Sequence, residues 1–237
     1  MHAGFVTEGQ GSQSPCMGSA ASKQKDVPLT PAPAPVCFTS DQYCMGHHVT
    51  LTLQKKKRSK RRLSAIWYGR MQKLSVEDPD GKTIFEVHRA SWTFASRTSL
   101  LDPHHRTILK FVRPFGLQPT WKIKAESRRG RDQAVIVRRP VFAARPQVKV
   151  YLPAAIKPSG VTAGEPDFTV SANIATKDLV VYSVGGGRRP AVAQLVCSGA
   201  EEGRDGLLRV AANMDVALVL AIFLASDALL YAGLMQT

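Results

Sequence analysis

Apolar and polar positions alternate with a period of two in short runs along most of the chain, most plainly in Val49-Thr50-Leu51-Thr52-Leu53. Successive side chains of a strand point to opposite faces, so such a run predicts a half-buried strand. Eleven further runs of β type follow: Lys73–Glu77, Thr83–His88, Thr98–Leu101, Ile108–Val112, Thr120–Ala125, Ala134–Val137, Gln147–Tyr151, Phe168–Ala172, Leu179–Ser183, Val192–Val196 and Leu207–Val210. Between the second and third lies Asp78-Pro79-Asp80-Gly81, with proline and glycine where a strand reversal needs fixed or positive φ. That segment predicts a hairpin. No helical period of any length separates the runs, and no internal repeat is visible. About twelve strands at hairpin spacing make the chain mainly β, an antiparallel sandwich or barrel.

The pattern changes near residue 213. Asn213 is expected to cap a helix, with Asp215 in its first turn, where a carboxylate meets the positive helix end. The stretch Val216–Ala225 is then apolar on every side, Asp227 interrupts it, and Ala228–Met235 continue it. A helix apolar all round is either a membrane span or enclosed by protein. Val216–Met235 has the length of a span. Against this, Asp227 near its middle would cost about 2.5–3.5 kcal/mol, and no Lys or Arg follows to anchor the far side. A twelve-stranded barrel also has an interior too wide to close on its own side chains. The expectation is therefore a central helix over about 213–232, with Val216, Leu218, Val219, Leu220, Ile222, Phe223 and Leu224 as barrel filling and Asp227 near its exit end. A membrane-inserted tail is the alternative.

Ahead of the strands, residues 1–47 are rich in Gly, Ser, Ala and Pro, with Pro28, Pro31, Pro33 and Pro35 closely spaced. Such a composition buries too little apolar area to offset its ordering entropy, so a solvated leader is expected there and a barrel domain over 48–237. Residues 1–30 hold no apolar stretch of the kind a secretory signal needs. Cys16, Cys37, Cys44 and Cys197 share no CxxC spacing, which favours a reduced, intracellular setting over a disulfide framework.

The ordered set of segments resembles the plant LURP-one-related family, placed with tubby carboxyl-terminal domains and phospholipid scramblases. The segments are Val49–Leu53 followed by a lysine block, Leu74–Gly81 leading into Ile84–Val87, Leu100-Leu101-Asp102, Ile108-Leu109, Trp121-Lys122-Ile123, Phe168-Thr169-Val170, Leu179–Tyr182, Ala193–Val196 and Met214–Ala221. The resemblance spans Val49 to the end. It implies a twelve-stranded β-barrel around a hydrophobic carboxyl-terminal helix, binding of phosphoinositide-rich membrane as in tubby domains, membrane-tethered transcriptional regulation and an association with plant defence. A glycine is common in the family after Leu-Leu-Asp; here Pro103-His104-His105-Arg106 stands there, and the first inter-strand connection is longer and more basic than usual.

Charge adds a candidate site. The 237 residues carry 32 Lys+Arg and 18 Asp+Glu, a net of +14. Lys55, Lys56, Lys57, Arg58, Lys60, Arg61 and Arg62 put seven cations in eight residues, whereas Leu63 onward contributes +8 over a long domain that reads as ordinary solvated surface. Cations so dense repel one another unless anions are supplied. The block suits an anionic phospholipid surface, an import receptor or nucleic-acid phosphates, or else a solubilising loop; Lys122 and Lys124 are supporting lipid contacts, and Ser59 is a candidate phosphorylation switch. Sequence-specific DNA recognition is not expected, since no base-reading motif is present. Localisation on this reading is the cytoplasmic membrane face, the nucleus or both. A scramblase-like protein with an inserted terminal helix, and Cys37 or Cys44 as lipidation sites, is the alternative from the same superfamily.

No GxSxG elbow, P-loop, HExxH or dinucleotide fingerprint occurs, so no enzyme and no cofactor are expected. His47-His48 and His104-His105 read as solvated turn residues, because adjacent histidines on a strand diverge and zinc sites space their ligands differently. Gly185-Gly186-Gly187-Arg188-Arg189 reads as a turn with flanking charge before an anion nest. The sequence leaves the oligomeric state open.

Overall fold

A computed structural model describes residues 26–55, 72–92, 95–114, 119–126, 134–140, 146–157, 164–173, 175–185, 189–197 and 206–231. Twelve strands form one closed antiparallel barrel: β1 (Val49–Lys55), β2 (Gln72–Glu77), β3 (Thr83–Trp92), β4 (Ala95–Leu101), β5 (Thr107–Val112), β6 (Thr120–Ala125), β7 (Ala134–Arg138), β8 (Gln147–Tyr151), β9 (Phe168–Ala172), β10 (Leu179–Ser183), β11 (Ala191–Cys197) and β12 (Gly206–Val210). Each strand pairs with its neighbours in sequence, and β12 closes the ring on β1 with Leu51 opposite Leu208. Closure leaves no sheet edge to template aggregation.

The alternating positions explain the barrel. In β5 to β8, Leu109, Phe111, Trp121, Ile123, Val135, Val137, Val148 and Val150 are buried, while the residues between them face outward. Strand β11 departs from the alternation, with Ala191 through Leu195 buried in succession. Its outer face is covered by the chain that precedes β1: Val27 N–H donates to Gln194 Oε1 and Thr30 N–H to Ala191 O.

A single helix, α1 (Val216–Tyr231), fills the barrel. Leu218, Val219, Leu220 and Ile222 are fully buried, Val216 and Phe223 nearly so, and Leu224 is half-buried. An enclosed helix needs no polar face, which is why this one has none. Asp227 is exposed, as expected of the exit end. Among the described residues no helix is long and apolar enough to cross a membrane.

Two local expectations differ from the structure. The helix is capped by Asp215: its Oδ1 accepts from Leu218 N–H at 3.0 Å, the bond an N-cap residue makes to the third helical position. Asn213 instead turns the chain through the left-handed region (φ 66°) and donates from Nδ2 to Ala32 O. The leader also differs in part. Residues 1–25 lie outside the described residues, but 26–47 form a strap on the barrel rather than solvated chain. Ala32, Val36 and Phe38 are buried, and Asp215 Oδ2 accepts from Phe38 N–H (2.9 Å), Thr39 N–H (2.7 Å) and Thr39 Oγ1 (2.8 Å). The prolines limit local structure, yet long-range bonds to residues near 213 offset the ordering cost.

Two turns at this mouth share one design. In Asp78–Lys82, Asp78 Oδ1 accepts from Asp80 and Lys82 N–H, and Gly81 takes φ 79°. In Asp102–Arg106, Asp102 Oδ1 accepts from His104 and Arg106 N–H, and His105 takes φ 60° where the other turn has glycine. Burial alone would raise the Asp102 carboxyl, but the bonds from the Arg106 backbone and guanidinium outweigh it and hold it below the usual carboxylate range.

Candidate anion-binding face

The antiparallel meander β5–β8 places its outward residues in register. Lys110 on β5 lies opposite Lys124 on β6, Val112 opposite Lys122, Lys122 opposite Ile136 on β7, and Arg138 opposite Lys149 on β8. Outward side chains directly opposite across an antiparallel pair sit about 5 Å apart at Cβ. The wall therefore gathers Lys110, Lys122, Lys124, Arg138 and Lys149 on four adjacent strands. Lys110, Lys122 and Arg138 are exposed, and Lys124 and Lys149 half-buried.

Like charges directly opposite destabilise a sheet. One such pair is relieved by Glu126, whose Oε1 accepts from Lys110 Nζ at 2.9 Å. Glu126 is the only carboxylate among the described residues between 106 and 149. At the other pair, the Arg138 guanidinium lies 5.9 Å from the Tyr151 ring centroid, a cation–π contact. Val112 is 43% exposed, one of three large hydrophobic side chains so exposed among the described residues, and it lies beside Lys122. The face can attract anions and offer a small apolar contact with them.

Of the residues singled out in the sequence, Lys122 and Lys124 stand at the centre of this face. Lys55 ends β1, and Lys56, Lys57, Arg58, Lys60, Arg61 and Arg62 lie outside the described residues, as does Ser59. Strand β1 is five strands from β6 around the ring, so the root of the basic block and the two lysines lie on nearly opposite walls. Lys110, Arg138 and Lys149 were not singled out. The available signal was regional: residues 106–149 hold twelve Lys+Arg and two acids, so the excess after Leu63 is concentrated there.

Elsewhere, Asp167 is buried with its carboxyl raised by that burial, although Leu152 N–H donates to its Oδ2 and Lys157 Nζ lies 3.7 Å from Oδ1. A pocket of about 280 Å³ opens between the strap and β1–β3, lined by Tyr43, Met45, His47, Val49, Phe85 and Val216 among others. His104 and His105 lie in the β4–β5 turn, with His105 Nδ1 3.4 Å from Glu86 Oε2. No group of three metal-ligating side chains occurs among the described residues.

Fold and site together define a helix-filled antiparallel β-barrel with a cationic wall. A profile of the LURP-one-related family matches residues 49–227, and the chain belongs to that family. An X-ray structure of a protein from Arabidopsis thaliana is similar, with a TM-score of 0.54 and 19% identity, covering 81% of this chain and 98% of that one. At that identity the likeness concerns the fold. No curated protein matches the sequence.

Proposed function

We propose that this protein is a non-enzymatic regulatory module that docks on anionic phospholipid surfaces through the outer wall of β5–β8. The observation that carries the reading is the in-register gathering of Lys110, Lys122, Lys124, Arg138 and Lys149 around the exposed Val112. Cations interleaved with an aliphatic side chain suit a membrane interface, where headgroups and acyl boundary lie within a few ångströms. A tethered role in transcription or defence would use this docking as its membrane-bound state.

Each cation near an anionic surface contributes about 1 kcal/mol, so replacing Lys122, Lys124, Arg138 and Lys149 with Ala lowers vesicle partitioning by roughly a thousandfold. Flotation with phosphatidylcholine vesicles, with and without phosphatidylserine or a phosphoinositide, reads this out. Binding that ignores anionic lipid, persists in high salt, or survives the four substitutions overturns the reading. Lys55, where the block begins, ends β1, five strands from the Lys122 and Lys124 strand β6, and this supports giving Lys55–Arg62 a role of its own, recognition by an import receptor. Replacing the block with Gln then removes nuclear entry of a tagged protein while leaving most flotation intact.

A further inference from the structure

The recess between the strap and β1–β3 follows from how the barrel wall opens at this mouth. Strand β1 pairs with β12 from Val49 to Leu53 but with β2 only from Thr52 to Lys55, so residues 49–51 have no partner on β2 among the described residues. Beside them the β2–β3 register shifts: Val76 lies opposite Phe85 and Glu77 opposite Thr83, which leaves Ile84 as an extra residue. Such a bulge bends its strand and re-aims a side chain, and Ile84 lines the recess. The strap supplies further wall with Tyr43 and Met45. It is held in place because Met45 O accepts from Asn213 N–H (2.8 Å) and Cys44 is bridged to Asp215, one residue before Val216. Leu51, Phe85 and Val216, all buried, make the floor, and the Tyr43 and Phe85 rings lie 5.2 Å apart at their centroids, tilted by 51°. His47, His48 and Thr50, all exposed, form a polar rim with the half-buried Asp78.

We propose that this recess binds a small aromatic molecule of two-ring size that carries a hydrogen-bonding group at one end. Volume sets the size. An apolar cavity of about 150 Å³ holds one benzene, and the recess, at about 280 Å³, takes two fused rings. The lining sets the chemistry. Two protein rings already meet here at a tilt, and a third packs against such a pair offset or edge-on. Met45 is 38% exposed on the strap wall, and its thioether gains a further contact from an aromatic edge. An unfilled recess forgoes dispersion contacts along its floor, which a ring in that place restores. At the rim, the imidazoles of His47 and His48 and the Thr50 hydroxyl offer donors and acceptors to the polar end of the ligand. Asp78 Oδ1 is taken up by Asp80 and Lys82 N–H, which fixes the turn that forms one edge of the recess. This site stands apart from the cationic wall, which lies on β5–β8.

The test uses the full chain with isotope-labelled methionine methyl groups, the Met45 signal assigned through Met45→Leu, and naphthol as the probe. Titration is expected to shift the Met45 methyl resonance saturably, as ring currents from a bound aromatic require. Val49→Trp fills the recess from β1 and abolishes the shift, with unchanged circular dichroism confirming that the variant folds. Met45→Ala, at an exposed position that leaves folding intact, weakens naphthol binding by about two- to tenfold. Decahydronaphthol, the saturated analogue, binds several times more weakly than naphthol. A Met45 methyl that does not shift up to the solubility limit of naphthol, equal binding by folded Val49→Trp, unchanged affinity in Met45→Ala, or equal affinity for decahydronaphthol each overturns the proposal.

Discussion

Asp215 joins two parts of the molecule, and substituting it separates them. Its carboxylate is fully buried, with Oδ1 capping α1 through Leu218 N–H and Oδ2 accepting from Phe38 N–H, Thr39 N–H and Thr39 Oγ1. Asparagine caps a helix about as well as aspartate, so Asp215→Asn keeps the α1 bond through its single carbonyl oxygen. Its amide nitrogen must then face the strap, where two backbone N–H groups lose their acceptor and only the Thr39 hydroxyl can adapt. An unsatisfied buried donor costs about 1–3 kcal/mol, giving about 2–6 kcal/mol for the pair. Relief from burying a charge offsets part of this, leaving on the order of 3 kcal/mol. For a domain of this size that is a fall in Tm of about 6–12 °C. Asp215→Ala removes the cap as well and costs roughly 1 kcal/mol more. Thermal denaturation gives the sum, and amide exchange gives the partition: Asp215→Asn accelerates exchange at Phe38 and Thr39 but spares Leu218, whereas Asp215→Ala accelerates all three. An Asp215→Asn protein with unchanged Tm and unchanged exchange at Phe38 and Thr39 would refute the assignment of the strap to this carboxylate.

Three further outcomes follow from the same structure. His105→Gly in the β4–β5 turn relieves a left-handed non-glycine residue and raises stability by about 1 kcal/mol by urea denaturation, whereas Gly81→Ala in the matching turn lowers it by a similar amount. Asp102→Asn lowers Tm at neutral pH, and the gap from wild type narrows as pH falls. The wild-type carboxyl is depressed in the fold, so its contribution is present above the unfolded value near pH 4 and is lost as pH drops through the folded value. Phe223→Ala, at a side chain only 1% exposed inside the barrel, costs about 3–5 kcal/mol in equilibrium unfolding; a negligible loss would contradict an enclosed helix.

What was legible in the sequence depended on the range of the interactions involved. Strand β6 could be read from Thr120–Ala125 because its alternation reflects a core on one side and solvent on the other. The burial of Gln194 could not, because its cover comes from Val27, 167 residues away. Composition made the strap look solvated for the same reason: its partners are at 191, 212, 213 and 215. Both Asn213 and Asp215 are residue types that cap helices, and the choice fell to Asp215 only because the chain at Asn213 must turn to meet Ala32 and Met45. The Asp102–Arg106 turn has no glycine, yet its bonds reproduce those of Asp78–Lys82, with His105 accepting the backbone strain where the other turn has Gly81.

Charge carries the same lesson across strands. A run such as Lys55–Arg62 is conspicuous because its cations are adjacent in the chain, but adjacency in a barrel is set by register. Lys110 and Lys124 are fourteen residues apart and directly opposed, as are Arg138 and Lys149 at a separation of eleven. Two like-charge oppositions on neighbouring strand pairs cost stability in the isolated protein. Glu126 answers the first through Lys110, and the second has an aromatic ring beside Arg138 in place of a carboxylate. A wall so arranged gains most when an external anion supplies the missing charge. If so, anionic vesicles raise the apparent Tm of the wild type, through preferential binding to the folded barrel. They do little for a protein in which Arg138 and Lys149 are both replaced by Gln, although that protein alone is no less stable than wild type. Equal stabilisation of both by the same vesicles would show that the cations on this wall are not what the lipid meets.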